Sequence, residues 1–123
     1  MANKRLKPLI PTLREKNRYI AFEILSRGKI TEITPVSREI WRQALQLLGE
    51  VETAKAGLWV LPDTWQANKQ QGILKVNTKH VDQIKACLAL ITNIENQEAI
   101  VRATRVSGIL RKAIPKTEKN MAG

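Results

Sequence analysis

The segment at residues 19–25, Tyr-Ile-Ala-Phe-Glu-Ile-Leu, limits the fold more than any other stretch of the chain. Its alternation predicts a strand with Ile20, Phe22 and Ile24 on one face and Tyr19, Ala21, Glu23 and Leu25 on the other. The first set is large and apolar throughout, so that face needs a cover. The second set is mixed. Arg14, Lys16 and Arg18 stand directly ahead of the strand. A basic arm therefore runs straight into a sheet.

The rest of the chain supplies the cover. Thr34 suits a helix N-cap and Pro35 the first helical position. Val36, Ile40, Ala44, Leu47 and Leu48 then recur at helical spacing, with Trp41 at the margin, and Gly49 is placed to end the helix. Residues 53–61 alternate as a second strand that Pro62 stops, with Ala54, Ala56, Leu58 and Val60 opposite Thr53, Lys55, Gly57 and Trp59. A polar hairpin loop at residues 62–71 carries Trp65 and leads to a short third strand at 72–76. A second helix is expected over residues 79–92, capped by Thr78 or Asn77, with Val81, Ile84, Leu88 and Ile91 on its apolar face. Residues 93–97 turn the chain into a fourth strand at 99–106, with Arg102 and Thr104 on one face and Arg105 on the other. Residues 109–114 read as a short terminal helix exposing Arg111 and Lys112.

This order of elements is the split βαβ pattern of an α+β, ferredoxin-like βαββαβ sandwich. The expectation is a four-stranded antiparallel sheet with both helices on one face. The domain limits follow: a basic N-terminal arm at 1–12, a single α+β domain at 13–114 and a disordered basic tail at 115–123.

Charge is unevenly placed. The chain carries 21 Lys and Arg against 11 Asp and Glu, a net +10. Residues 1–18 hold six basic groups and one acidic group, and residues 102–123 hold the same numbers. The nine basic and nine acidic groups of residues 19–101 cancel. A neutral body with two positive ends points to a polyanion, most simply nucleic acid. Ends that serve only solubility are the alternative. The single Cys87 excludes an internal disulfide and fits a reducing compartment. No apolar run reaches membrane length, and the basic start lacks the apolar core of a signal peptide. The expected location is therefore cytoplasmic.

No catalytic constellation emerges. His80 is the only histidine, and its place near a helix start predicts a surface or capping residue. Cys87 falls on an apolar helix face, as a core thiol does. No Cys/His cluster has metal-ligand spacing, and no glycine-rich phosphate loop is present. The expected third strand, Gly-Ile-Leu-Lys-Val, has no aromatic on which a base could stack. Phosphate contacts from Arg and Lys remain, with Arg14, Arg18, Arg102, Arg105 and Arg111 the best-placed candidates. Neutralising roughly six phosphates would give a slope of about −5 in log K against log salt. Trp59 and Trp41 read as core or edge-of-core residues. Trp65, in a polar loop, either anchors a protein partner or folds back on its hairpin. The apolar run Leu58 to Leu61 suggests that both faces of its strand are covered, which makes Trp59 a partner-contact candidate as well.

Pro-Thr-Leu-Arg-Glu-Lys at 11–16, followed by Arg18-Tyr19-Ile20-Ala21-Phe22, resembles the opening of the archaeal Pop-five type protein subunit of ribonuclease P. Arg38-Glu39-Ile40-Trp41, Leu48-Gly49-Glu50 and the run from Arg102 to Lys112 are similar to that family as well. The resemblance implies a sandwich like the RNA recognition motif without its stacking aromatics. It implies an accessory subunit, not catalytic alone, of an enzyme whose RNA removes the 5′ leader of precursor tRNA. Magnesium is then held by the RNA and no cofactor by the protein. The implied partners are ribonuclease P RNA, precursor tRNA and a TIM-barrel-like Rpp-thirty type subunit, and the protein pair can form a dimer of heterodimers. The family's charged positions fall on Arg14, Lys16, Arg18, Arg105, Arg111 and Lys112, which implies RNA contact there. Two other classes compete: a small-ligand regulatory or acyl-phosphate-hydrolysing domain on a ferredoxin-like fold, and a protein-interaction module with incidental basic ends.

Overall fold

In a computed structural model, which describes residues 16–109, the first strand is the centre of the molecule. The elements are β1 (Asn17–Ser26), α1 (Ile33–Ala56), β2 (Trp59–Gln66), β3 (Gln71–Asn77), α2 (Val81–Leu90), β4 (Asn93–Ile94) and β5 (Gln97–Ser107). The strands form one antiparallel sheet in the order β2-β3-β1-β5-β4. Ile20, Phe22 and Ile24 are buried in a single core with Val36, Ile40 and Ala44 of α1 and Ile84, Cys87 and Leu88 of α2. Both helices thus cover the face that the alternation of β1 marks as apolar. Burial pushes the Cys87 thiol above its ordinary pKa, because the anion would lose its water.

The first helix departs from expectation at both ends. It begins at Ile33 after an extended Glu32 that makes no side-chain cap, so Thr34 and Pro35 lie in the first turn. Gly49 does break it, as its place predicts, but a second helical segment follows directly. Gly49 takes φ 85° and ψ 170°, a left-handed conformation open to glycine, and the chain re-enters the helix beyond it. Helix continues to Ala56, and the left-handed Gly57 closes it by donating its N–H to the Ala54 carbonyl at 3.2 Å. Residues 53–56 are therefore helical, and the second strand starts at Trp59. Tertiary contacts hold this added turn. The buried Thr53 hydroxyl donates across the break to the Ala44 carbonyl at 3.1 Å, and the Asn77 amide donates to the Lys55 carbonyl at 2.6 Å.

His80 belongs to the same junction. It is buried, not on the surface. It closes a 3-10 turn at Thr78–His80, where its backbone N–H donates to Asn77 Oδ1 at 3.1 Å. Its Nδ1 lies 2.7 Å from that oxygen. Asn77 spends its amino group on Lys55, so the His80 Nδ1 carries the proton and donates. Nε2 then faces Glu52 Oε2 at 3.5 Å.

Three further differences concern the sheet. β2 runs past Pro62 to Gln66, with its register to β3 broken between Leu61 and Gln66. An edge strand tolerates this, since a proline there removes no ladder bond that the sheet needs. Residues 93–97 are a tight hairpin and not a bare turn. Asn93 and Ile94 pair with Glu98 and Gln97 around Glu95 and Asn96, whose φ values of 54° and 61° suit a hairpin turn. The sheet consequently has five strands, where four were expected. The expected terminal helix at 109–114 and the limits 1–12, 13–114 and 115–123 fall outside the described residues apart from the span 16–109 itself.

Candidate nucleic-acid interface

Antiparallel pairing of β1 and β5 brings the two ends of the described chain together. Tyr19 pairs with Ser107, and the guanidinium of Arg18 lies against Gly108, where an added Cβ would sit 3.1 Å from Nη1. Lys16 is exposed at the start of β1, with its carbonyl fixed by the Thr78 N–H at 2.8 Å. Both basic segments therefore join the body at the same end of two neighbouring strands. Arg14, Arg111 and Lys112 lie outside the described residues.

The face of the sheet away from the helices collects the other candidates. Glu23 pairs with Arg102 and Ala21 with Arg105, while Thr104 is the extra residue of a bulge between them. The Thr104 hydroxyl donates to the Ala21 carbonyl at 3.2 Å and holds the bulge in place. That one residue resets the alternation, so Arg102 and Arg105 share the open face instead of pointing apart. Arg18 keeps the parity of Ile20 and leaves the sheet on the other face. The exposed Arg102 forms an ion pair with Glu23 across the strands at 2.5 Å, so phosphate must compete with a carboxylate there.

The register also assembles a row across four strands. Trp59 of β2 pairs with Lys75 of β3, Lys75 with Tyr19 of β1, and Tyr19 with Ser107 of β5. Trp59 is 55% exposed and so is not a core residue. Behind this row lie Leu61, Ile73, Ala21 and Arg105, where Ala21 and Ile73 are buried beneath Tyr19 and Leu61. Lys75 was not among the sequence candidates. Alternation alone places Tyr19 and Trp59 on strands, but only the strand order brings them into line. Trp65 behaves differently. It packs against the core, donates its indole N–H to the Thr31 carbonyl in the connection between β1 and α1 at 3.2 Å, and lies with its ring over Gly72 of its own hairpin.

Two cations of the first helix are engaged locally. Arg42 is bound by Glu39 and reaches Gln46, and Lys55 lies 3.9 Å from Glu52. Among the described residues, no three His, Cys, Asp or Glu side chains converge to hold a metal ion. No described helix is long and apolar enough to cross a membrane. What the described surface offers is positive charge beside exposed aromatic surface.

Comparison with known proteins gives a consistent picture. A model of the Rpp14/Pop5 family matches residues 18–117. The chain is 37% identical over 109 residues to ribonuclease P protein component 2 of Pyrococcus horikoshii, covering 89% of this chain and 88% of that one. It is 38% identical over 108 residues to the component 2 of Methanocaldococcus jannaschii, covering 88% and 77%. A chain in the cryo-EM structure of yeast ribonuclease MRP superposes with a TM-score of 0.57 at 11% identity, covering 89% of this chain and 96% of that one. At that identity the last match speaks for the fold alone.

Proposed function

The chain belongs to the Rpp14/Pop5 family, and on that footing we propose that it is an RNA-binding protein subunit of ribonuclease P, supporting the RNA that removes the 5′ leader from precursor tRNA. The observation that carries the reading is its close likeness, over nearly nine-tenths of its length, to archaeal proteins of that name. The small-ligand domain is not favoured by these relatives. Physically, the basic ends emerging beside one another support phosphate contact by Lys16, Arg18 and Arg105, with Arg14, Arg111 and Lys112 adding charge from the adjoining segments. Arg102 joins them when it exchanges Glu23 for phosphate.

The protein is not catalytic alone in this reading. Magnesium sits on the RNA, and the protein lowers the repulsion that the RNA must overcome to fold and to hold its substrate. The four long strands, in the order β2-β3-β1-β5, support a ferredoxin-like arrangement with β4 added at the edge. A TIM-barrel-like Rpp-thirty type subunit is the proposed protein partner, in a heterodimer that can pair with itself, and the cytoplasm is the proposed location. The test is cleavage of precursor tRNA at limiting magnesium by the RNA with this chain and its partner, each omitted in turn. Leaving out this chain should lower the rate. An unchanged rate would end the proposal.

A further inference from the structure

We propose that the open face of the sheet binds unpaired RNA, with one base stacked on Trp59, another on Tyr19, and the connecting backbone held by Lys75. This rests on the reading of the chain as an RNA-binding subunit and adds the class of RNA and the residues that take it. The three side chains lie in one cross-strand row, aromatic, cation, aromatic. Two strand spacings of ~4.8 Å put the rings about 10 Å apart, so each receives its own base. Trp59 is the most exposed aromatic described, and Tyr19 is part-buried over the firm floor of Ala21 and Ile73.

The chemistry of the row selects the occupant. A second protein copy would call for a continuous apolar patch, and here a lysine interrupts the rings. Stacking rings interleaved with cations are what a single strand recognises, since every base has a π-face and every link a phosphate. A duplex hides its bases and offers no ring to these side chains. Arg105 flanks the second row, and the row ends at Ser107, beside the joint where both basic segments meet the body. The acids of this face set the track. Glu23 is held by Arg102, and Glu98 lies at the far end next to β4. Asp63, on the irregular part of β2, disfavours a phosphate path farther from Trp59.

The test uses the full chain with a short labelled oligouridylate and an RNA hairpin duplex of equal phosphate count, titrated over a salt series. Trp59→Ala and Tyr19→Ala should each weaken single-strand binding by about fivefold to 100-fold and leave duplex binding and the salt slope unchanged. Trp59→Phe and Tyr19→Phe should restore most of the affinity, because stacking needs the ring and not its polar atom. Lys75→Ala should reduce the single-strand salt slope by about one. Single-strand affinity unchanged in the alanine variants, a phenylalanine variant as weak as alanine, or an equal loss on the duplex would each overturn the proposal. So would a change of sedimenting mass in Trp59→Ala without RNA, which would mark the face as a contact between copies. Precursor tRNA cleavage separates the two claims. If the wild-type chain supports cleavage while the alanine variants bind the single strand normally, the sheet proposal fails and the subunit assignment stands.

Discussion

The two faces of β1 are built from alternate residues of one ten-residue strand, yet they answer to different demands. Toward the helices, Ile20, Phe22 and Ile24 are each at most 3% exposed and interlock with both helices. Toward solvent, Tyr19, Ala21, Glu23 and Leu25 form a small apolar floor, an ion pair and an exposed rim. One face is chosen for volume and the other for chemistry. Substitutions on the first should therefore be read in stability, and substitutions on the second in RNA affinity.

The largest expected effect is on the covered side. Phe22→Ala should cost about 3–5 kcal/mol in urea unfolding, the usual loss when a large core ring leaves a cavity. Asn77→Ala comes next, at about 1–3 kcal/mol. It strips the Lys55 carbonyl and the His80 N–H and Nδ1 of their partner in a buried junction. Stability should also fall at alkaline pH through Cys87. The unfolded thiol ionises near ~8.5. The buried one ionises higher, so above that pH the unfolded state gives up a proton that the folded state keeps. Each further pH unit then removes at most about 1.4 kcal/mol, and Cys87→Ala should abolish this slope in pH-dependent denaturation.

The open side should behave in the opposite way. A double-mutant cycle on Arg102 and Glu23 should give a coupling of less than about 1 kcal/mol, as expected of a solvent-exposed pair. Lys75→Ala combined with Arg105→Ala, both on the open face, should change stability by no more than about 0.5 kcal/mol. The same double variant should lower the salt slope of RNA binding by about two. If it unfolded the protein, the division of labour between the faces would be wrong.

Much of the covered side was legible in the sequence, because period-two and period-3.6 patterns report burial directly. The identity of β1, the stripe of Val36, Ile40 and Ala44, and the face of α2 all came from that signal. The misreading of residues 53–56 has a clear origin. Ala54, Ala56, Leu58 and Val60 alternate, but alanine is at home in helix, and the bonds from Thr53 to Ala44 and from Asn77 to Lys55 select the helix. β4 escaped because two residues carry no periodicity. The open side was less legible. Tyr19, Lys75 and Trp59 are far apart in sequence, and nothing local reveals that strand order aligns them.

Thr104 shows how much can turn on one position. It acts as a half-step inserted into a two-stroke rhythm, so that the strand before it and the strand after it keep opposite time. A chain shortened by that one residue would retain its net charge, both helices and every arginine. It would nevertheless turn the Arg105 side chain inward, or force the end of β5 to slide along β1 and carry the neighbouring basic terminus with it. Among natural variants, length at this point should accordingly be guarded more tightly than the identity of the residue that supplies it.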